Sequence, residues 1–517
     1  MSDQPDSQHT RAQLDRSFLS GIAWTGAAKA VTQVLSWSAT IFVARLLTPA
    51  DYGVVAMATV VLGVIQLLSE FGVGTALVTR RDLSEQQVAQ IGGFAVGVGI
   101  LLMLIAFVLA KPIANFNNDA RVAPVVAVLG VSFLISSFRT VPSSLLMRDL
   151  EFRKLAAIES IEAVFMTALT FGLAFGGLGY WALVLGQTIS RAIGTMLAMF
   201  ARRHRLAPPM PLAPIANELR FGGHVVASRV GWYVYNNADI GLVGRMLGTV
   251  ALGSYSFAAN LASIPVDRVY QLYSRVSGAV IARAQTDPAS VRRYLLRITE
   301  AMSIASFPLA IGMGLVADSF AAVVLGNNWM GVVPVLRMLA IAAALRSLDP
   351  ILAQVLISTG HPQKNARTMI RAAFAMPVLF LIGSRWGPTG VASAWVLAYP
   401  FVVLVPQVLT ALRVSDATVG SYVTALWPAA SGCVVMAGIV LAVRWAAGDT
   451  LTPASLAIQV SAGAAGYTAT LWLLHRDRIL AIRDTLIRFV NKPQRLSDHF
   501  NVTSRRIGLA FVDLFRL

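Results

Sequence analysis

Charge is scarce in this chain. Only 13% of its 517 residues are Asp, Glu, Lys or Arg, about half the share of an average soluble domain. With 56% hydrophobic residues, a soluble fold could not cover its surface with polar groups, so that class is excluded and lipid is the solvent. Cysteine is nearly missing. Cys433 stands alone in an apolar run, which excludes an intrachain disulfide and leaves it as a small buried hydrophobe. The six histidines are dispersed without metal-ligand spacing. No P-loop motif occurs, so ATP is not an obvious energy source. No connection is long enough for a catalytic domain. The chain therefore reads as no enzyme, without cofactor or metal. Residues 1–16 are polar and are no signal peptide, so the first span is expected to be retained.

What is present is apolar and segmented. Fourteen apolar segments run at about 18–44, 53–79, 90–110, 122–147, 155–175, 178–200, 220–244, 251–280, 298–317, 332–358, 367–385, 388–412, 421–444 and 454–474. The alternation of barrel strands is absent, which leaves helices as the spanning structure. The expected fold is an all-α polytopic membrane protein of about 14 transmembrane helices. The net charge of +17 sits in connections, in the C-terminal tail and at scattered positions inside spans. That placement sets orientation and gives no reason to expect nucleic acid as a partner. With the N-terminus cytoplasmic, inside connections hold eighteen Lys and Arg before the tail is counted. Outside connections hold six: Arg45, Lys111, Arg121, Arg245, Arg385 and Arg444. Both termini are expected on the cytoplasmic side. In the tail, Ile479, Ile482, Leu486 and Phe489 share one helical face, as in an amphipathic helix on the inner leaflet.

The chain also repeats itself. ARLLTPADYGVVA begins at 44 and GRMLGTVALGSYS at 244. At this offset of 200, Arg45 matches Arg245, Leu47 matches Leu247 and Gly53 matches Gly253. Gly176 and Gly179 match Gly387 and Gly390, and Pro142 matches Pro350, at slightly larger offsets. Spans 1–6 thus resemble spans 7–12 in the same orientation, the pattern of parallel repeats with a substrate site between halves. The expected organisation is a cytoplasmic segment (1–16), a first six-helix lobe (17–203), a cytoplasmic linker (204–219) and a pseudo-equivalent second lobe (220–413). Two extra spans (420–475) and the basic tail (476–517) follow.

Ionisable residues inside spans are costly and are functional candidates by default. Polar residues recur every three or four positions in several spans: Thr25, Lys29, Gln33, Ser36 and Thr40; Ser132, Ser136, Arg139 and Ser143; Arg229, Trp232, Asn236 and Asp239; Asn260, Ser263, Asp267, Gln271 and Ser274. Such stripes must line water or protein rather than lipid. Lys29 and Arg229 stand 200 apart; Arg139 and Arg346 are nearly equivalent in the fourth and tenth spans. These four cations are the candidate substrate-binding residues, suited to a phosphate-bearing anion. Gln33, Ser36, Asn236, Asn260, Asp267 and Gln271 are the candidate polar lining. Glu70 and Asp239 are deep carboxylates that could carry a coupling H⁺ or Na⁺. Arg191, Arg268 and Arg337 add further cations. Glu159, Glu162 and Glu300 lie near cytoplasmic span ends, where pairing with neighbouring Arg is expected. Pro142, Pro265, Pro308, Pro350, Pro377, Pro400 and Pro406 interrupt spans and permit kinks.

RLLTPADYG (45–53), LLSEFGVGTALVTR (67–80), RDLEFRKLA (148–156) and GGLGYWALVLGQ (176–187) give residues 17–475 a family resemblance. The chain resembles the polysaccharide transporter family of the MOP superfamily, and within it the Wzx-type flippases of the colanic-acid and lipopolysaccharide branch. The resemblance implies two six-helix lobes of MATE-like fold in a V around a cationic cavity. It implies carriage of undecaprenyl-diphosphate-linked oligosaccharide repeat units across the bacterial inner membrane by alternating access, driven by a proton or Na⁺ gradient. The products would be exopolysaccharide or O-antigen/lipopolysaccharide, and the partners the lipid bilayer and a polysaccharide polymerase or export machinery. Many members of the family have twelve spans, and fourteen are counted here. A lipid II flippase, a cation-coupled multidrug exporter of the same superfamily and a non-transporting scaffold of a polysaccharide assembly complex are the alternatives.

Overall fold

A computed structural model describes residues 41–69, 77, 83–208, 216–284, 287–448, 451–481 and 483. The described residues are helices and short connections. The helices are α1 Pro49–Ser69, α2 Glu85–Asn117, α3 Val122–Arg148, α4 Phe152–Phe175, α5 Tyr180–Ala201, α6 Ala216–Ala284 and α7 Pro288–Leu315. They continue as α8 Val332–Arg346, α9 Asp349–Ser358, α10 Pro362–Gly383, α11 Gly387–Leu397, α12 Val405–Val414, α13 Val419–Ala446 and α14 Pro453–Leu474. Within the described residues, each expected apolar segment falls on a helix; most of the first, 18–40, lies outside them. Nine helical stretches among the described residues are long and apolar enough to cross a membrane, and one, Pro362–Val414, holds two expected segments. In hydrocarbon the chain has no water to bond its backbone, so helices that close their own hydrogen bonds are what this composition can build.

Two expected spans differ in detail. The seventh and eighth join in α6, broken only at Gly248, whose φ of 82° and ψ of −178° leave the helical region. Only glycine takes that conformation without steric cost. The tenth is two helices, α8 and α9, separated at Ser347–Leu348. Pro350 then occupies the first turn of α9, where its missing N–H is harmless.

By packing, the chain forms two compact units, Met1–Gly253 and Ser254–Leu517. In the first, α2 pairs with α3 and α4 with α5; α3 packs on α5, and α1 lies against α3 and α2. In the second, α7 packs on α13 and α8, α13 pairs with α14, α10 with α11, and α9 contacts α12 and α7.

Two of the family-like sequence segments meet in the first unit. Asp51 accepts hydrogen bonds from the Thr48 N–H (2.9 Å) and hydroxyl (2.7 Å), capping the start of α1. Its other oxygen accepts from the Tyr180 N–H at 3.0 Å, the first residue of α5. One carboxylate therefore ties the TPADYG turn to the GLGYW turn. A negative charge at two helix N-termini is favourable for both. Gly179, at φ 56°, brings the α5 backbone to Asp51.

The repeat glycines meet as well. A Cβ on Gly53 would overlap the backbone carbonyl of Thr249, and a Cβ on Gly253 would overlap that of Pro49. These contacts are reciprocal at the offset of 200. The start of α1 and the start of α6 past its break thus cross backbone to backbone, which demands small residues on both sides. Gly53→Val is expected to cost more than about 3 kcal/mol, an overpacking that nothing nearby can relieve. Gly97 has open space around it, and Gly97→Ala is expected to raise stability slightly. Thermal unfolding of the purified protein in detergent checks both. A Gly53→Val protein as stable as wild type would contradict the crossing.

Candidate functional site

Of the candidate residues, Lys29, Gln33, Ser36 and Glu70 lie outside the described residues; Arg229 lies in α6 with its side chain outside them. The rest can be placed within their own units.

In the first unit Arg139 of α3 is ion-paired to Glu162 of α4, with side chains 23% and 21% exposed. This is the pairing expected for Glu162. Gly194 of α5 lies beside the pair: a Cβ there would come 2.5 Å from Glu162 Oε2 and 3.1 Å from Arg139 Nη1. Three helices thus share one charged contact, and the missing side chain at 194 is what admits it. Asp239 of α6 is buried, and its Oδ1 accepts from the Ile240 N–H at 2.8 Å. Asn236, half-buried, donates to the Trp232 carbonyl at 2.8 Å. Trp232 itself is exposed.

In the second unit the stripe of the eighth segment is resolved. Ala258, Ala262, Val266 and Val269 are buried on one side of α6. Asn260, Asp267, Arg268 and Gln271 are exposed at helical spacing on the other. An exposed polar face on an apolar helix needs water or protein against it, since lipid cannot solvate it. Arg346 is half-buried and lays its guanidinium 4.2 Å above the ring of Trp395, a cation–π contact. Glu300 of α7 accepts from Arg478 at 3.0 Å, so its partner comes from the tail just past α14. Arg478 also donates to the Thr424 carbonyl at 2.9 Å. The tail is helical through the described residues 476–481.

Sequence reasoning missed a charged hub. Asp318, just past α7, pairs with Arg337 of α8 and accepts from Arg444 of α13 at 2.6 Å. The next residue, Ser319, donates to Gln459 of α14 at 3.2 Å. At the other end of this helix pair, Tyr467 donates to the Ile304 carbonyl at 2.7 Å, and Ser431 pairs with His475 at 2.9 Å. The two helices beyond the repeated six-span lobes are thereby fastened to α7 and α8. Most of these contacts join residues over a hundred positions apart, which leaves no spacing signal.

One connection carries a perturbed acid. Arg121 pairs with Asp119 at 2.7 Å and also donates to Thr249 at 3.4 Å. Its hydrogen bonds hold the Asp119 carboxyl below the usual carboxylate range.

The model of the family described as "Polysaccharide biosynthesis protein" matches residues 42–334, more than half of the chain. The chain belongs to that family. Among relatives of the polysaccharide biosynthesis proteins, it is 24% identical over 413 residues to the lipopolysaccharide biosynthesis protein WzxC of Escherichia coli (strain K12), covering 79% of this chain and 84% of that one. It is 28% identical over 302 residues to the teichuronic acid biosynthesis protein TuaB of Bacillus subtilis (strain 168), covering 57% and 62%. Among solved structures, the fold is similar to the lipid II flippase MurJ in an inward closed conformation, with TM-score 0.71 over 88% of this chain and all of that one, at 12% identity. It is also similar to an inward-facing MATE transporter of the MOP superfamily, with TM-score 0.59, covering 74% and 95%, at 14% identity. At these identities the two structures speak for the fold alone: that of MOP-superfamily transporters, in a multi-pass membrane protein of polysaccharide biosynthesis.

A depressed folded-state value means that Asp119 contributes stability above the ordinary carboxylate pKa, about 3.9. That contribution is lost as pH falls through the folded value. Asp119→Asn is therefore expected to lower the melting temperature at pH 7 and to flatten the loss of stability below about pH 4. Melting curves across pH check this; an unchanged acid limb would refute the assignment.

Proposed function

We propose that this protein is a flippase for undecaprenyl-diphosphate-linked oligosaccharide repeat units, moving them from the cytoplasmic to the outer leaflet of the bacterial inner membrane for exopolysaccharide or lipopolysaccharide synthesis. The observation that carries the reading is the family match over 42–334 on a chain of flippase-like fold. The exposed polar face at Asn260, Asp267 and Gln271 supports it, because a glycan crossing a bilayer needs such a surface.

In this mechanism Lys29 and Arg229 hold the diphosphate. Arg139 and Arg346 supply further donors to phosphate and acidic sugars, pre-oriented by Glu162 and Trp395. Orienting a cation before the ligand arrives lowers the entropy lost on binding. Asn236, Asn260, Asp267 and Gln271, with Gln33 and Ser36, solvate the glycan, while the lipid tail stays in the bilayer. Alternating exposure of the polar surface completes the transfer. A multidrug exporter for cationic compounds would favour an acidic interior, and the candidate interior here leans basic. In this reading both termini face the cytoplasm, which the excess of Lys and Arg in the connections on that side supports.

The test is the leaflet location of the lipid-linked oligosaccharide in cells depleted of this protein. Accumulation in the cytoplasmic leaflet is expected, reversed by wild type and not by Lys29→Ala/Arg229→Ala at equal membrane abundance. A loss of transport of at least tenfold is expected for the double variant. Intact surface polysaccharide without accumulation would overturn the reading, and full export by the double variant would overturn the site.

A further inference from the structure

We propose that the outer end of the first unit carries a docking surface for an acidic saccharide, built from Phe116 and Arg245 with Asn115, Asn118 and Arg121. The C-terminal end of α2 and the stretch of α6 leading into its break at Gly248 lie side by side there. Three contacts hold them in register. The Arg245 guanidinium lies 5.4 Å from the centre of the Phe116 ring. Asn117, buried, sits against Gly244, where a Cβ would come 3.3 Å from its Oδ1. Arg121 donates to the Thr249 hydroxyl at 3.4 Å. Asn118 ends α2 in the left-handed region, at φ 54°, and its N–H donates to the Asn115 carbonyl at 3.2 Å. The backbone beneath the surface is thus fixed by its own capping bonds.

The side chains above it point outward. Phe116 is 59% exposed, and Arg245 is exposed beside it. Asn115 and Asn118 are exposed as well, and no described residue hydrogen-bonds either side-chain amide. Among the described residues no acid pairs with Arg245. Charge at this end is unbalanced. Its connections hold Arg45, Lys111, Arg121 and Arg245 against Asp51 and Asp119. Asp51 is taken up by the starts of α1 and α5, and Asp119 by Arg121. Connections outside the cytoplasm are ordinarily poor in Lys and Arg, so cations kept there call for an anionic partner.

The chemistry selects that partner. A guanidinium recognises a carboxylate. Amides both donate and accept, which sugar hydroxyls need; the headgroup of an anionic lipid would be served by Lys and Arg alone. An exposed aromatic face gives the apolar side of a sugar ring a platform. Aromatic residues that anchor helices at the membrane interface are Trp and Tyr, whereas Phe116 has no polar tip to place in water. A saccharide bearing carboxylates meets all three groups at once. The outer placement of this surface, and its service in receiving the glycan, rest on the flippase reading above; the binding of an acidic saccharide does not.

The test titrates the full-length protein, in a neutral detergent without a sugar headgroup, with tetragalacturonate in a calorimeter. Saturable binding is expected, about tenfold or more tighter than that of neutral maltotetraose. Arg245→Gln should weaken it about tenfold and Phe116→Leu about fivefold, while Phe116→Trp, which keeps the ring face, should bind as wild type does. Arg203→Gln, at an exposed arginine of a connection on the opposite side, should change nothing. Lys29→Ala/Arg229→Ala should also leave this binding in place. Loss of binding in that double variant, with none in Arg245→Gln and Phe116→Leu, would overturn the outer surface and leave the flippase reading intact. No binding, or equal binding of the two saccharides, would overturn it as well. If Arg245→Gln lowers the retention of phosphatidylglycerol in native mass spectra and leaves the saccharide affinity unchanged, the surface is a lipid contact and the proposal falls. Should Arg245→Gln fail to fold, Phe116→Leu decides.

Discussion

The constraint behind every feature of this protein is that hydrocarbon offers its backbone no hydrogen bonds. Helices solve that problem along their length, and each break reopens it. Two breaks among the described residues show how it is met. Gly248 turns α6 where Thr249 meets Gly53 and receives Arg121. Ser347 seals the gap between α8 and α9 by bonding both its own helix and Ser306. The same constraint explains why most membrane-embedded hydroxyls are silent. Thr140, Ser144, Thr188, Thr410, Thr468 and Thr470 all donate to a carbonyl four residues back, which satisfies them without any partner helix. A polar residue on a span is thus weak evidence of function by itself. The informative ones are those that their own helix does not satisfy.

The reciprocal crossing at Gly53 and Gly253 gives the internal repeat a physical meaning. Each glycine exists because the other copy's backbone lies against it. Where the copies differ, the difference has a structural purpose. Asp51 binds the turn that opens α5, and its counterpart at the offset of 200 is Ala251, which cannot. The first copy is fastened by a carboxylate that the second lacks.

Much of this architecture was legible in the sequence, because hydropathy at a period of about 20 residues reports directly on the solvent. The all-α class, the order of segments, the family, the burial of Cys433 and the pairing of Glu162 and Glu300 with arginines all follow from local signals. The partners of those acids were less legible. Glu300 is met by Arg478 from the far end of the chain, and Asp318 by arginines on α8 and α13. The break at Ser347–Leu348 was foreshadowed by Pro350, but its position was not. The cation–π contact of Arg346 with Trp395, about fifty residues away, left no signal in spacing either.

The acids of the helical bundles share one arrangement. Glu162 has Arg139, Asp318 has Arg337 and Arg444, and Glu300 has Arg478. Each is a carboxylate neutralised by an arginine from another element, the arrangement that makes a buried charge tolerable. Such pairs fix helices to one another. A guanidinium carries five N–H donors, so pairing with Glu162 leaves Arg139 with donors for the anion that the proposed mechanism brings to it. The pair can therefore hold two helices together and still present a fixed, oriented positive charge, which a lone arginine on a flexible stem could not do.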